Sequence, residues 1–144
     1  MKSFTKKSLA ALMIIATLSC VLCVGASARS SDYLSAYSAG LTPKSGGRIV
    51  VSVDVAGVGY MTQIGASNVT IYRSSDQTNW DSVASYSSAN YPSMLTSGYS
   101  CNMDVITYYG TPGYYYFAVV NCYAGNASGH DSRLYTTSNV KAIS

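Results

Sequence analysis

Glutamate is absent from this 144-residue chain, histidine and tryptophan occur once each (His130, Trp80), and there are only three prolines. The missing glutamate removes a favoured acid of helix surfaces. Ser, Thr, Tyr, Val and Gly stand in its place, and these suit strands and turns. One histidine without glutamate leaves no plausible zinc set, so no metal and no cofactor is implied. Paired-carboxylate glycoside chemistry needs two acids across a cleft; Asp54 and Asp104 fall on outward strand positions and read as solvated charges. Net charge is missing too. The formal +3 is carried by Lys2, Lys6 and Lys7. Beyond residue 28, Arg29, Lys44, Arg48, Arg73, Arg133 and Lys141 balance Asp32, Asp54, Asp76, Asp81, Asp104 and Asp131. No basic patch is left to attract phosphates, so nucleic acid is not an expected partner.

What is present begins with an address. Residues 1–7 hold three lysines and no acid, residues 8–24 carry no charge, and Gly25 leads into Ala26-Ser27-Ala28. A basic start, an apolar middle and a small-residue exit form a secretory signal. Cleavage is expected between Ala28 and Arg29, giving an extracellular product. An uncut anchor is the alternative, because the apolar run is near the lower bound for a spanning helix, roughly 17 residues. Lipidation at Cys20 or Cys23 fits less well, since neither has both the leading Leu-like residue and the small neighbour. No second apolar run could span a membrane after cleavage. Residues 29–144 are sized for one domain.

Cys101 and Cys122 are the pair left in that domain, and in an oxidising compartment a disulfide is the default. Gly110-Thr111-Pro112-Gly113 lies midway and reads as a turn. A chain folding back there would bring the two cysteines level. The closed loop of about 20 residues would contribute roughly 3 kcal/mol in the chain-entropy picture. Two free buried thiols are the alternative.

Strand patterns follow. Residues 31–41 read as an edge strand or a helix, with the strand favoured. Residues 48–56 alternate, Ile49, Val51, Val53 and Val55 against Arg48, Ser52 and Asp54. Gly57-Val58-Gly59 breaks the run. Residues 60–64 form a short extended piece, and 68–73 alternate again. Trp80–Tyr86 is the return strand of a hairpin across 74–79. Residues 87–100 read as loop and 101–108 as strand. Residues 114–123 are apolar on both faces and so central in a sheet. Residues 125–131 read as loop, and 133–137 with 139–142 as a final interrupted strand. About seven strands, with turns at roughly 8–12-residue spacing, make an all-β two-sheet sandwich.

The stretch Gly113–Gly125 (Gly-Tyr-Tyr-Tyr-Phe-Ala-Val-Val-Asn-Cys-Tyr-Ala-Gly) resembles the penultimate strand of fibronectin type III-like domains. Hairpin 71–76 with Asn79-Trp80, and strand 48–56, resemble that superfold as well. The likeness covers about 48–142 and implies an immunoglobulin/fibronectin III-like sandwich. It also implies a tyrosine corner, from Tyr114 or Tyr116, whose hydroxyl bonds backbone across the turn. Trp80 departs from the immunoglobulin pattern by following the hairpin turn. Cys101 and Cys122 depart by flanking the turn at 110–113. With Gln63-Ile64-Gly65-Ala66-Ser67 and the ending from Ala124-Gly125 through Thr136-Thr137-Ser138, the chain as a whole resembles small exported proteins of unknown function from Gram-positive bacteria, a likeness that assigns no activity.

The remaining motifs have bland readings. His130 lies beside Asp131 and near Ser128 and Ser132, but a hydrolase needs nucleophile, base and orienter to converge in space. A loop histidine is the simpler expectation, with a secreted hydrolase using His130 and Asp131 as the alternative. Asp76, Asn79 and Asp81 lack the full calcium-loop pattern and read as a polar turn. Asn68 and Asn126 match the glycosylation acceptor pattern. The tyrosines carry the functional colour. Tyr91, Tyr99, Tyr108, Tyr109 and Tyr123 fall at strand ends or loops, where tyrosine among Ser, Gly and Asn makes contact area at low entropic cost; the simpler and favoured reading is that tyrosine fills half-buried strand positions. The expected function is a secreted, non-catalytic sandwich that binds an extracellular protein or glycan through those tyrosines. A structural matrix role is the third reading.

Overall fold

The computed structural model describes residues 30–144. The export signal over 1–28, its cleavage after Ala28 and the cysteines at 20 and 23 lie outside the described residues. Residues Ser31–Ser144 form one compact unit.

The unit is built around one very long strand. β1 spans Leu34–Pro43, β2 Arg48–Ser74, β3 Asp81–Ser87, β4 Leu95–Tyr109, β5 Tyr115–Asn126, β6 Gly129–Thr136 and β7 Val140–Lys141. A single 3-10 turn, Pro92–Met94, precedes β4. All pairings are antiparallel. The first half of β2 lies between β1 and β4, with Val55 opposite both Tyr37 and Cys101. Its second half lies between β3 and β5, with Ile71 opposite both Ala84 and Ala118. β6 and β7 then line the far edge of β5. Two half-sheets thus share one strand and form a single curled sheet.

The curl follows from residue sizes. Ile49, Val51, Val53 and Val55 from one half of β2, and Val69 and Ile71 from the other, are at most 1 % exposed. They meet Tyr116, Ala118, Val120, Cys122 and Ala124 of β5 in one core. Burying each large side chain contributes about 1.5–3 kcal/mol. Both halves of β2 need the same cover, so the strand bends to supply it. The bend falls between Ala56 and Ile64, where the ladder to β4 shifts register. Gly57 permits it: a Cβ there would sit 2.8 Å from both the Gly59 carbonyl oxygen and Met61 Cγ. The glycines at 57 and 59, expected to end a strand, therefore bend one.

Two further expectations are corrected. Residues 95–100, read as loop, begin β4, because Leu95, Thr96 and Gly98 pair with Gly65, Ile64 and Met61. Their outward side chains are mostly exposed, so no alternation marked them. The expected loop at 125–131 is a tight hairpin, with Asn126 opposite Gly129 and the Asn126 side chain accepting from the Ser128 N–H at 2.9 Å. The strand at 31–41, the hairpin 68–87 and the central place of β5 are observed as expected.

The cysteine pairing is corrected as well. Cys101 and Cys122 are free, buried thiols. The expected fold-back at 110–113 does not pair β4 with β5. The two strands flank opposite edges of β2, Cys101 beside Val55 and Cys122 beside Ala66. Burial, and secondarily the neighbouring Cys101, push the Cys122 thiol up to about 11. Burial also raises Cys101.

The turn at 110–113 is pinned by tyrosine. Tyr116 is fully buried, and its hydroxyl accepts a 2.8 Å hydrogen bond from the Thr111 N–H. Of the two tyrosines considered for that role, Tyr116 takes it. Gly110 makes room, since a Cβ there would lie 2.8 Å from the ring. Tyrosines also close one seam of the curl, where Tyr37 of β1 meets Tyr135 of β6 edge-on at 6.4 Å.

Candidate functional site

The side of the second half-sheet that faces away from the core is the surface to consider. β5 alternates, so Tyr115, Phe117, Val119, Asn121 and Tyr123 point outward while Tyr116 to Ala124 fill the core. Near the C-terminal end of β5, beside the bend in β2, this face opens into a cleft of about 610 Å³. Thr62, Gln63 and Ser67 of β2 form one part of its lining, and Tyr123 of β5 another. Ser88, Ala89, Pro92, Leu95, Thr96 and Ser97, from the β3–β4 connection and the start of β4, complete it.

Local bonds hold this lining. The Asn121 amide donates to Ser67 Oγ at 2.9 Å, and that hydroxyl donates to the Asn121 carbonyl at 3.3 Å. Thr62 Oγ1 donates to the Gly125 carbonyl at 3.3 Å. The Ser88 N–H donates to the Ser67 carbonyl at 2.8 Å, tying the far wall to β2. The wall is anchored below by Met94, which is fully buried. Tyr123 is backed by His130, with ring centroids 5.3 Å apart and planes 23° from parallel. The lining therefore offers hydroxyls, one side-chain amide and an aromatic ring, and holds no acid or base.

The five expected tyrosines do not form one patch. Tyr123 lines the cleft. Tyr91, exposed, packs edge-on against Tyr86 at 5.3 Å, immediately before the cleft residue Pro92. Tyr99 is 70 % exposed and sits edge-on to Tyr60 at 5.4 Å, at the β2 bend. Tyr109 is 72 % exposed at the opposite end of β4, roughly 30 Å from Tyr99 along the strand. Tyr108 is not a free surface residue. It packs on Tyr116 at 5.7 Å, and burial raises its phenol above the usual range. Tyr86 is raised in the same way, by burial first and then by Tyr91 and Tyr108.

His130 and Asp131 separate because they are consecutive on β6 and consecutive strand residues face opposite ways. His130 lies on Tyr123. Asp131 pairs with Arg133, and its carboxyl is held below the ordinary value by the Ser31 hydroxyl, the Ser132 N–H and Arg133. Asp76 is likewise committed. Its carboxylate accepts from Ser74 Oγ, the Thr78 and Asn79 N–H groups and the Asn79 amide, at 2.8–2.9 Å. Those bonds keep it well below the usual carboxylate range. Among the described residues, no group of three or more His, Cys, Asp or Glu is placed to hold a metal ion. No described helix is long and apolar enough to cross a membrane.

Sequence reasoning found Tyr123 but not the hydroxyls around it. Thr62, Ser67, Ser88 and Thr96 come from three separate stretches and converge only because β2 bends. A second aromatic group was also missed. Phe117 stacks on Tyr72 with centroids 4.9 Å apart, and Trp80 packs against Phe117 at 4.7 Å and 71°. The odd-numbered face of residues 114–123 was its only signal. No protein-family model matches the chain, and no curated protein matches it.

Proposed function

We propose that this is an exported, non-catalytic β-domain that binds an uncharged glycan in the cleft beside Tyr123. The observation that carries the reading is the cleft's composition. A polyhydroxylated ligand needs donors and acceptors at the rim and an aromatic face to lie on, and an uncharged one needs no counter-ion. Pockets of this kind are largely preformed, with a few placed polar groups fixing orientation. Ser67 and Thr62 are already held by backbone partners, so little side-chain freedom is lost on binding. Tyrosine adds rigid contact area. The basic-apolar-small leader supports export, and the tyrosine hydroxyl bond across the 110–113 turn supports the immunoglobulin/fibronectin III-like architecture.

The test is electrophoresis of the folded domain through gels containing neutral or acidic polysaccharides. Retardation by a neutral polysaccharide is expected, lost in Tyr123→Ala and kept in Tyr99→Ala. Retardation only by acidic polysaccharides, or equal loss in both variants, would overturn the reading.

A further inference from the structure

Resting on the glycan reading, we infer that the same sheet face carries a second sugar-stacking station at Trp80 and Phe117, and that the two stations hold one extended, uncharged polysaccharide chain. The second station is a hollow of about 210 Å³ lined by Gln77, Trp80, Phe117, Thr136, Thr137 and Asn139. Its origin is a gap in the edge of the sheet. β6 ends at Thr136 and β7 resumes at Val140. Across the gap the Thr137 N–H donates to the Ala118 carbonyl at 2.9 Å, and Thr137 Oγ1 accepts from the Ala118 N–H at 3.0 Å. The break therefore leaves a hollow without leaving β5 unpaired there.

The chemistry repeats that of the first cleft. Trp80 and Phe117 present apolar rings, and Gln77, Asn139 and Thr136 present amides and a hydroxyl. No acid or base lines either station. An indole held half-exposed beside a phenyl ring can lie against the C–H face of a sugar, while the amides reach its hydroxyls.

The stations are arranged in line. Phe117 and Tyr123 are outward residues of the same strand, six positions apart, so about 20 Å separates them. Between them the outward surface is Val119 and Asn121 on β5, with Ser132 and Leu134 beside them on β6. Leu134 is 69 % exposed. This run is uncharged throughout, which disfavours an acidic polymer or a charged peptide and suits a neutral chain crossing from one hollow to the other. Two weak stations on one ligand gain by effective concentration, on the order of 10²-fold or more when the spacing matches.

Trp80 is the sole tryptophan, so its emission reports on the second station alone. The experiment titrates the folded domain with uncharged glucose-, mannose- and galactose-based oligosaccharides of increasing length. Trp80 emission is read alongside calorimetric affinity. Short oligomers are expected to bind with little change in emission. Oligomers long enough to span both stations should shift the emission and bind on the order of 10²-fold more tightly. Phe117→Ala and Asn139→Ala should each return long-chain affinity to the short-chain level while the domain stays folded by circular dichroism. Binding of short sugars with no length dependence and unchanged Trp80 emission would overturn the second station and leave the first intact. No binding of any neutral sugar would overturn both. A loss of self-association in Phe117→Ala, with no effect of sugars, would instead assign the face to a second copy of the chain.

Discussion

The two faces of β5 are made from one run of twelve residues and do opposite things. Inward, Tyr116, Ala118, Val120 and Cys122 are fully buried. Outward, Phe117, Val119, Asn121 and Tyr123 stay half-exposed. Both faces are rich in apolar and aromatic groups, so hydrophobicity alone does not separate them. What separates them is cover. The inner face is closed by the other half of β2, whereas the outer face has no described element lying over it and is punctuated by two polar-rimmed hollows. An aromatic residue is structural where a second layer meets it and available where none does.

That contrast can be broken by substitutions on either face. The largest effect is expected from Ile71→Ala, on the inward side of β2. The side chain is fully buried, and its loss should cost about 2–5 kcal/mol in urea unfolding. Val119→Ala, outward on the paired strand, should cost less than about 1 kcal/mol. Equal costs would show that the outer face is covered too. Thr137→Val should come next, at about 1–3 kcal/mol, because it leaves the Ala118 N–H without its hydroxyl acceptor inside the sheet. Tyr116→Phe keeps the packed ring but removes the acceptor for the Thr111 N–H, so about 0.5–1.5 kcal/mol is expected.

The smallest effects are those of pH. The Cys122 thiol is raised in the folded state. The unfolded thiol ionises first, and stability should decline as pH rises from the ordinary thiol value towards about 11. Cys122→Ala should flatten that decline in denaturant melts at several pH values. Asp76 moves the other way. Its folded carboxyl is depressed, so its contribution is present above the unfolded carboxylate pKa and fades as pH falls through the depressed value. Asp76→Asn should remove that part of the acid dependence.

Much of the frame was legible from alternation. The alternation of Ile49, Val51, Val53 and Val55 and the alternation over 68–73 mark side chains that form the core, whereas 114–123, apolar on both faces, did not show which face of β5 turns inward. Short-range pattern could not show that Gly57 and Gly59 bend a strand, because glycine ends strands and bends them by the same loss of side chain. The disulfide expectation failed for a related reason. It assumed that β4 and β5 pair across their turn, and which strand takes the edge of β2 depends on contacts far apart in sequence. The cleft was illegible on the same ground, as Ser67, Thr96 and Tyr123 meet through β2 alone. Tyr108 was misplaced because a tyrosine at a strand end looks alike in sequence whether it leans on Tyr116 or on water.

The most direct measurement is amide chemical-shift mapping of the folded domain with a long uncharged oligosaccharide. The account predicts shifts that follow the outer face, from Trp80 and Phe117 through Asn121 to Tyr123 and the cleft residues Ser67 and Thr96, with the amides around Tyr109 unmoved. Shifts centred on Tyr109, or none anywhere, would contradict it.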